Sequence, residues 1–392
     1  MRSRAQADID IPTKRRRFPD DCAADLHYAE LMSRLIVLSL SLALAACSAP
    51  VLKPAVDVPG RFAAAVDSTD EPELAWWEGY ADPILSDLVR RAARENRDLK
   101  IAAARVRAAR AGETISRSWL WPSVSAGAGA ADYRTGYNSS IKQVAPPAAD
   151  VKSVNANLNV AWEVDISGRL RAGAAAAAAD TMAAEYGERG VRLLVMTDVA
   201  SNYFVLSGAL RQLETVRAIS AAQDETLRLV TARQRVGLAT AFDVERAQTE
   251  ASRTRAQIPH LETLVAVSRH RIAVLIGDQA FNAAAIVPSS AALTVPAARP
   301  GQPAALLERR PDLLAVRAEL DAANARRQQA KAEWFPRLFL SAAYGRERFE
   351  LNGSDIGPAR FSNAAALLAM PIFNAGRTQA INDIAAAGQS EA

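Results

Sequence analysis

The chain has 392 residues, 47 basic against 43 acidic side chains and a formal net charge of +4, with half of its residues hydrophobic and 6% aromatic. That length suffices for one or two folded domains, and a charge so close to balance argues against a polycation made for nucleic acid. Two Cys and three His (His27, His260, His270) cannot supply a four-ligand zinc site of the usual spacing and leave little for a nucleophilic centre, so no catalytic residue, metal or cofactor is expected.

Residues 1–31 hold six basic and six acidic side chains with no apolar period, unlike an export signal, and are expected to be a dispensable extension ahead of a working start at Met32. Residues 32–46 read as a lipoprotein signal peptide. After Arg34, the uncharged run 35–46 (LIVLSLSLALAA) is about a dozen residues long, too short to cross a core of about 30 Å as a helix. It ends in Leu44-Ala45-Ala46-Cys47, which resembles the signal that directs lipidation of Cys47. Ser48 behind it resembles lipoproteins forwarded to the outer membrane, and residues 47–72 are expected to form a lipid-anchored linker. Removal of the leader takes Cys22 with it and leaves no disulfide.

The first repeat is expected over 73–290. Asp82-Pro83 resembles an N-cap with Pro at the first helical position, opening one helix over 84–116. A strand pair follows within 119–165. Val154, Ala156, Leu158, Val160, Trp162 and Val164 alternate there with Asn155, Asn157, Asn159, Ala161, Glu163 and Asp165. This suits a tilted transmembrane strand with Leu158, Val160 and Trp162 facing lipid, although an amphipathic strand of a soluble sheet would look the same. A long helix over 169–236 places Val199, Tyr203, Leu206, Leu210 and Leu213 on one seam of 3.5-residue spacing. A tip turn at 237–240 reverses the chain, Thr240 and Asp243 making a weaker relative of a capping box, and a helix over 241–276 returns with a kink at Pro259. His260 and His270 are expected on solvated faces. Two runs of about 35 residues stacked end to end match one of about 68, which suggests a tall, single-walled tube; a soluble antiparallel coiled coil is the alternative.

The second repeat, 291–392, is expected to hold a helix, a strand pair within 334–373 and the start of a long helix. Leu338, Leu340, Ala342 and Tyr344 repeat the strand alternation. Asp98-Leu99 and Asp312-Leu313 set a register of 214 residues that also superposes Pro122 on Pro336, while Gly168-Arg169 is echoed by Gly376-Arg377. The chain is therefore read as a duplication contributing four strands. Four strands cannot close a barrel around a channel, so several chains must share one.

Several motifs carry a family resemblance: Trp76-Trp77 with Asp82-Pro83, Asn96 and Leu99; residues 235–240 (RVGLAT) with Asp243-Val244; 272–277 (IAVLIG); 308–313 (ERRPDL) through Asn324 to Phe335-Pro336; and 371–377 (PIFNAGR). Together they resemble the TolC-like outer-membrane efflux proteins, the lipidated NodT-type subgroup in particular. The resemblance implies a mainly α chain with transmembrane β: a homotrimer whose strands form an outer-membrane β-barrel, continued by a coiled-coil periplasmic α-barrel. It implies a passive efflux duct, fed by an inner-membrane RND-type pump through a periplasmic adaptor. It places adaptor docking at Val236, Gly237, Leu238 and Thr240, and makes Asp243 a candidate for the gate network at the tip.

The chain departs from the family in one respect. In the first copy 109 residues separate Gly168 from Gly277, whereas 16 follow Gly376, so about 90 residues of a second helical hairpin are expected to be missing. Two other functions stay open beside the duct: a non-conducting outer-membrane lipoprotein fragment with a structural role, and a periplasmic hydrolase, for which no nucleophile and base pair is visible.

Overall fold

The computed structural model describes residues 51–52, 75–135, 149–278, 286–288, 295–296 and 303–392. The extension, the signal peptide, Cys47 and all of the linker but Val51 and Leu52 lie outside the described residues.

A 3-10 helix at Trp76–Tyr80 leads into α1, Pro83–Glu95. Asp82 caps α1 by accepting hydrogen bonds from the backbone N–H of Ile84 at 2.9 Å and of Leu85 at 3.2 Å, and Pro83 fills the first turn, where its missing N–H costs nothing. The single helix expected over 84–116 is instead two. It is interrupted at Asn96, whose ψ of 135° leaves the helical region, and α2 begins at Arg97 and ends at Ser118. The Asn96 carboxamide caps α2 by accepting from Leu99 N–H at 3.0 Å, while its NH2 donates to the Leu275 carbonyl at 2.8 Å. The second bond is the reason for the break: a partner 179 residues away holds the side chain in place, which local composition cannot reveal.

Two strands, β1 at Ser123–Thr135 and β2 at Ala149–Val164, precede α3 at Arg169–Arg235. With 67 residues at 1.5 Å each, α3 is about 100 Å long. Its seam residues Val199, Tyr203, Leu206 and Leu213 are buried and Leu210 is partly buried, in one apolar cluster with Leu85, Leu88 and Val89 of α1. The return is also two helices rather than one over 241–276. These are α4 at Ala241–Arg255 and α5 at Ile258–Leu275, with Ile272 in the same cluster. The chain breaks ahead of Pro259, which falls in the first turn of α5, where a proline needs no donor. Gly277, at φ +69°, then lies so close to α1 that a Cβ would stand 2.5 Å from the Glu95 carbonyl oxygen, so only glycine fits there.

The second half holds α6 at Pro303–Arg309, α7 at Pro311–Ala332, β3 at Arg337–Leu351, β4 at Ser354–Ala369 and α8 at Arg377–Glu391. The duplication is visible in the element bounds. Helices α2 and α7 start at Arg97 and Pro311 and end at Ser118 and Ala332, and β1 and β3 open at Ser123 and Arg337, each pair 214 residues apart. Gly168 and Gly376 precede α3 and α8 in the same left-handed conformation, at φ +78° and +85°. The four strands form one antiparallel sheet in the order β1-β2-β3-β4, which leaves β1 and β4 as edges.

Candidate functional site

Directly opposed residues of an antiparallel pair share a face, so the register assigns both surfaces of the sheet. The even-numbered face of β2 aligns Leu158 with Ala126 of β1 and with Tyr344 of β3, and Val160 with Val124 and Ala342. Val154 and Leu158 are 60% and 51% exposed on that face, and Val160 and Trp162 are half-buried. The other face is crowded and polar. Asn157 stands opposite Gly127, where a Cβ would come 2.8 Å from its Oδ1, and Asn155 stands opposite Gly129. At Gly345, a Cβ would meet both Phe361 and Asn157 within 3 Å. Along the middle of β2, apolar side chains thus take one face and asparagines the other.

Tryptophans ring the end of the sheet where helices join it. Trp119 and Trp121 between α2 and β1, and Trp334 between α7 and β3, are 65%, 72% and 47% exposed, and Trp162 Nε1–H donates to the Leu120 carbonyl at 3.1 Å. Four of the chain's six Trp therefore collect at one level, where an amphipathic ring can lie between hydrocarbon and water. Just beneath, Arg169 donates to both oxygens of Glu163 at 2.8 Å and pairs with Glu333 at 3.7 Å, and Glu333 pairs in turn with Arg337. Sequence reading missed this junction network, although the repeated Gly-Arg dipeptides were its signal.

At the far end of α3 the turn is built from paired caps. Gly237, at φ +78°, donates its N–H to the Gln234 carbonyl at 2.9 Å and Leu238 donates to the Arg233 carbonyl at 2.8 Å, the two bonds of a Schellman motif. The capping box is complete, not weakened: Asp243 N–H donates to Thr240 Oγ1 at 3.2 Å, and Asp243 Oδ2 accepts from Thr240 N–H at 2.8 Å and from its hydroxyl at 2.6 Å. These bonds hold the exposed Asp243 carboxyl below its usual pKa. Beside these caps the turn also exposes apolar side chains, with Val236, Leu238 and Phe242 at 69%, 78% and 74% exposure. His260 and His270 are exposed on α5.

The family model described as "Outer membrane efflux protein" matches residues 88–278 and 303–392. The chain belongs to that family. It is 33% identical over 372 residues to the pyoverdine export outer membrane protein OpmQ of Pseudomonas aeruginosa, covering 92% of this chain and 77% of OpmQ. The toluene efflux pump outer membrane protein TtgF of Pseudomonas putida is 32% identical over 311 residues, which are 79% of this chain and 64% of TtgF. Among solved structures, a membrane protein from Pseudomonas aeruginosa superposes with a TM-score of 0.77 at 29% identity over 88% of this chain and 78% of that one. The CmeC outer membrane channel of Campylobacter jejuni gives 0.79 over 88% and 74%, and at 20% identity speaks to the fold alone. The efflux protein therefore has the TolC-like architecture, with its four-stranded sheet contributing to an outer-membrane barrel and its long helices to an α-barrel. It acts as an outer-membrane component of an efflux system.

Proposed function

We propose that the efflux protein works as one of three identical protomers of a passive duct, passing small molecules delivered by an inner-membrane RND-type pump through a periplasmic adaptor. One observation carries this reading: a four-stranded sheet with two free edges, an apolar outer face and a polar, asparagine-lined inner face. Strand edges in hydrocarbon must be paired, because each unsatisfied backbone group costs several kcal/mol there, and copies of the same chain supply matching edges. Leu158, Val160 and Trp162 then meet lipid. The relatives' names, pyoverdine export and toluene efflux, differ too widely to fix the cargo.

The exposed tip of Val236, Gly237, Leu238 and Thr240, extended by Phe242, is the docking point for the adaptor. Asp243, on the same rim, is the candidate for the gate network, although its partner within the protomer is Thr240. Cys47 carries the lipid anchor. Residues 1–31, 32–46 and 47–72 serve as extension, signal peptide and linker, and 73–290 and 291–392 as the two repeats.

The trimer is tested by isolating the outer-membrane fraction and running it unheated on SDS gels. A heat-modifiable species of three protomers that also forms pores in planar bilayers is expected, and a purely monomeric, non-conducting species would refute the duct. Palmitate labelling tests the anchor: the wild type should be labelled and Cys47→Ala should not, and label on the variant would overturn the assignment.

A further inference from the structure

One row of the apolar face is out of keeping with the rest. From the helix end toward the hairpin end, β3 presents Leu338, Leu340, Ala342 and Tyr344 on that face, and then Arg346. Arg346 stands directly opposite Arg360 of β4, with Ala156 of β2 on its other side. Opposed residues hold their Cβ atoms about 5 Å apart, and like charges so placed repel. The other cations at this end are neutralised within the sheet: Arg348 pairs with Asp355, Arg134 with Asp150, and Lys152 with Glu350 at 3.8 Å. Among the described residues, Arg346 and Arg360 alone of these have no ionic or hydrogen-bonding partner for their side chains, and both are exposed.

Their height on the barrel gives the missing partner a chemistry. Eight residues separate Leu338 from Arg346, which at about 3.4 Å per residue and a tilt of about 40° is roughly 20 Å of depth, close to the upper edge of a band about 25 Å tall. Tyr344, 57% exposed immediately beneath, has the position of an interfacial aromatic, as the tryptophans have at the other edge. The guanidinium pair therefore sits at headgroup level on the hairpin side, away from the helices, which in an outer-membrane channel is the outer leaflet. Guanidinium forks bind phosphate oxygens bidentately, and one phosphate between two forks converts the repulsion into attraction.

We infer that Arg346 and Arg360 form a clamp for the phosphate of a phosphorylated outer-leaflet lipid. The inference rests on the reading of the even-numbered face as the lipid face. Purified full-length protein in detergent is titrated with bisphosphorylated lipid A, dephosphorylated lipid A and inorganic phosphate, and bound lipid is read by native mass spectrometry. Bisphosphorylated lipid A should bind the wild type at least tenfold more tightly than it binds Arg346→Gln/Arg360→Gln, and Arg346→Lys/Arg360→Lys should fall between them. Unchanged retention by the double Gln variant would overturn the clamp. Equal binding of dephosphorylated lipid, or displacement of lipid A by equimolar inorganic phosphate, would overturn the lipid as its source. A spin label on Leu158→Cys separates the two ideas. If the label is shielded from lipid-soluble oxygen, the membrane face itself is misassigned. If the label is oxygen-accessible and the Arg variants keep the lipid, the clamp alone fails.

Discussion

Asn324 holds Leu52 by both of its backbone groups: its carboxamide oxygen accepts from Leu52 N–H at 3.1 Å, and its NH2 donates to the Leu52 carbonyl at 3.2 Å. Only 4% exposed, Asn324 also accepts from Gln389 Nε2 at 2.7 Å, so α7 and α8 grip the segment together. Asn324 lies eight residues before the end of α7, about 12 Å along the helix from that end. Replacing Asn324 with Leu should cost about 1–3 kcal/mol through unpaired polar groups and free the segment. Limited proteolysis near residue 52 should then cut the variant faster than the wild type, and equal cutting rates would refute the clasp.

The two faces of β2 should respond oppositely to the same substitution. Leu158→Arg puts a charge against lipid and should destabilise the barrel by about 2–4 kcal/mol if its depth is near the midplane, whereas Asn157→Arg adds charge to a polar lining and should alter conductance or ion selectivity more than folding. Unfolding in urea from detergent micelles, paired with single-channel recording, separates the effects. Equal tolerance at both positions would sink the assignment of faces.

Periodicity made the strands, the 100 Å helix and the duplication legible, because each is a repeat that a single residue cannot mask. Breaks at Asn96 and at Ala256–Gln257 were not, since they depend on partners or on a proline's place in the following turn. Gly237 and Thr240 marked the turn in the sequence, whereas the exposed Phe242 beside it did not stand out, because an apolar side chain in a helix's first turn has no pattern to violate. The unpaired Arg346 and Arg360 become visible only through register, which sets residues 14 apart in sequence side by side.

The tip turn should loosen in acid. Hydrogen bonds from Thr240 hold the Asp243 carboxyl below its ordinary pKa, so the ionised form favours the folded turn. That contribution is fully present above the unfolded carboxylate range and is lost as the pH falls through the lowered folded value. Hydrogen exchange at the first amides of α4 should therefore speed up, relative to the rest of the helix, at the acid end of this window. Thr240→Val removes the hydroxyl and keeps the backbone N–H, so it should weaken the pH dependence without abolishing it, and an undiminished dependence would show that the hydroxyl does not hold Asp243. Gly237→Ala should independently cost about 1–2 kcal/mol, because a Cβ is strained at φ +78°.

The closing prediction concerns the bond that ties the first helix to the long one. Tyr203 is fully buried and its hydroxyl donates to Asp82 Oδ2 at 2.5 Å, while Asp82 Oδ1 caps α1. One carboxylate thus fixes where α1 begins and where α1 meets α3. Tyr203→Phe keeps the ring in the cluster and removes only the donor, leaving a buried carboxylate oxygen one partner short, at a cost of about 1–3 kcal/mol. Asp82→Asn should cost a similar amount through the cap and the same hydroxyl, and because both variants break one bond, the double variant should cost clearly less than the two singles combined. Thermal unfolding of the four proteins closes this cycle. Strict additivity would mean that the two residues act separately and that the hydroxyl contributes nothing to joining α1 to α3.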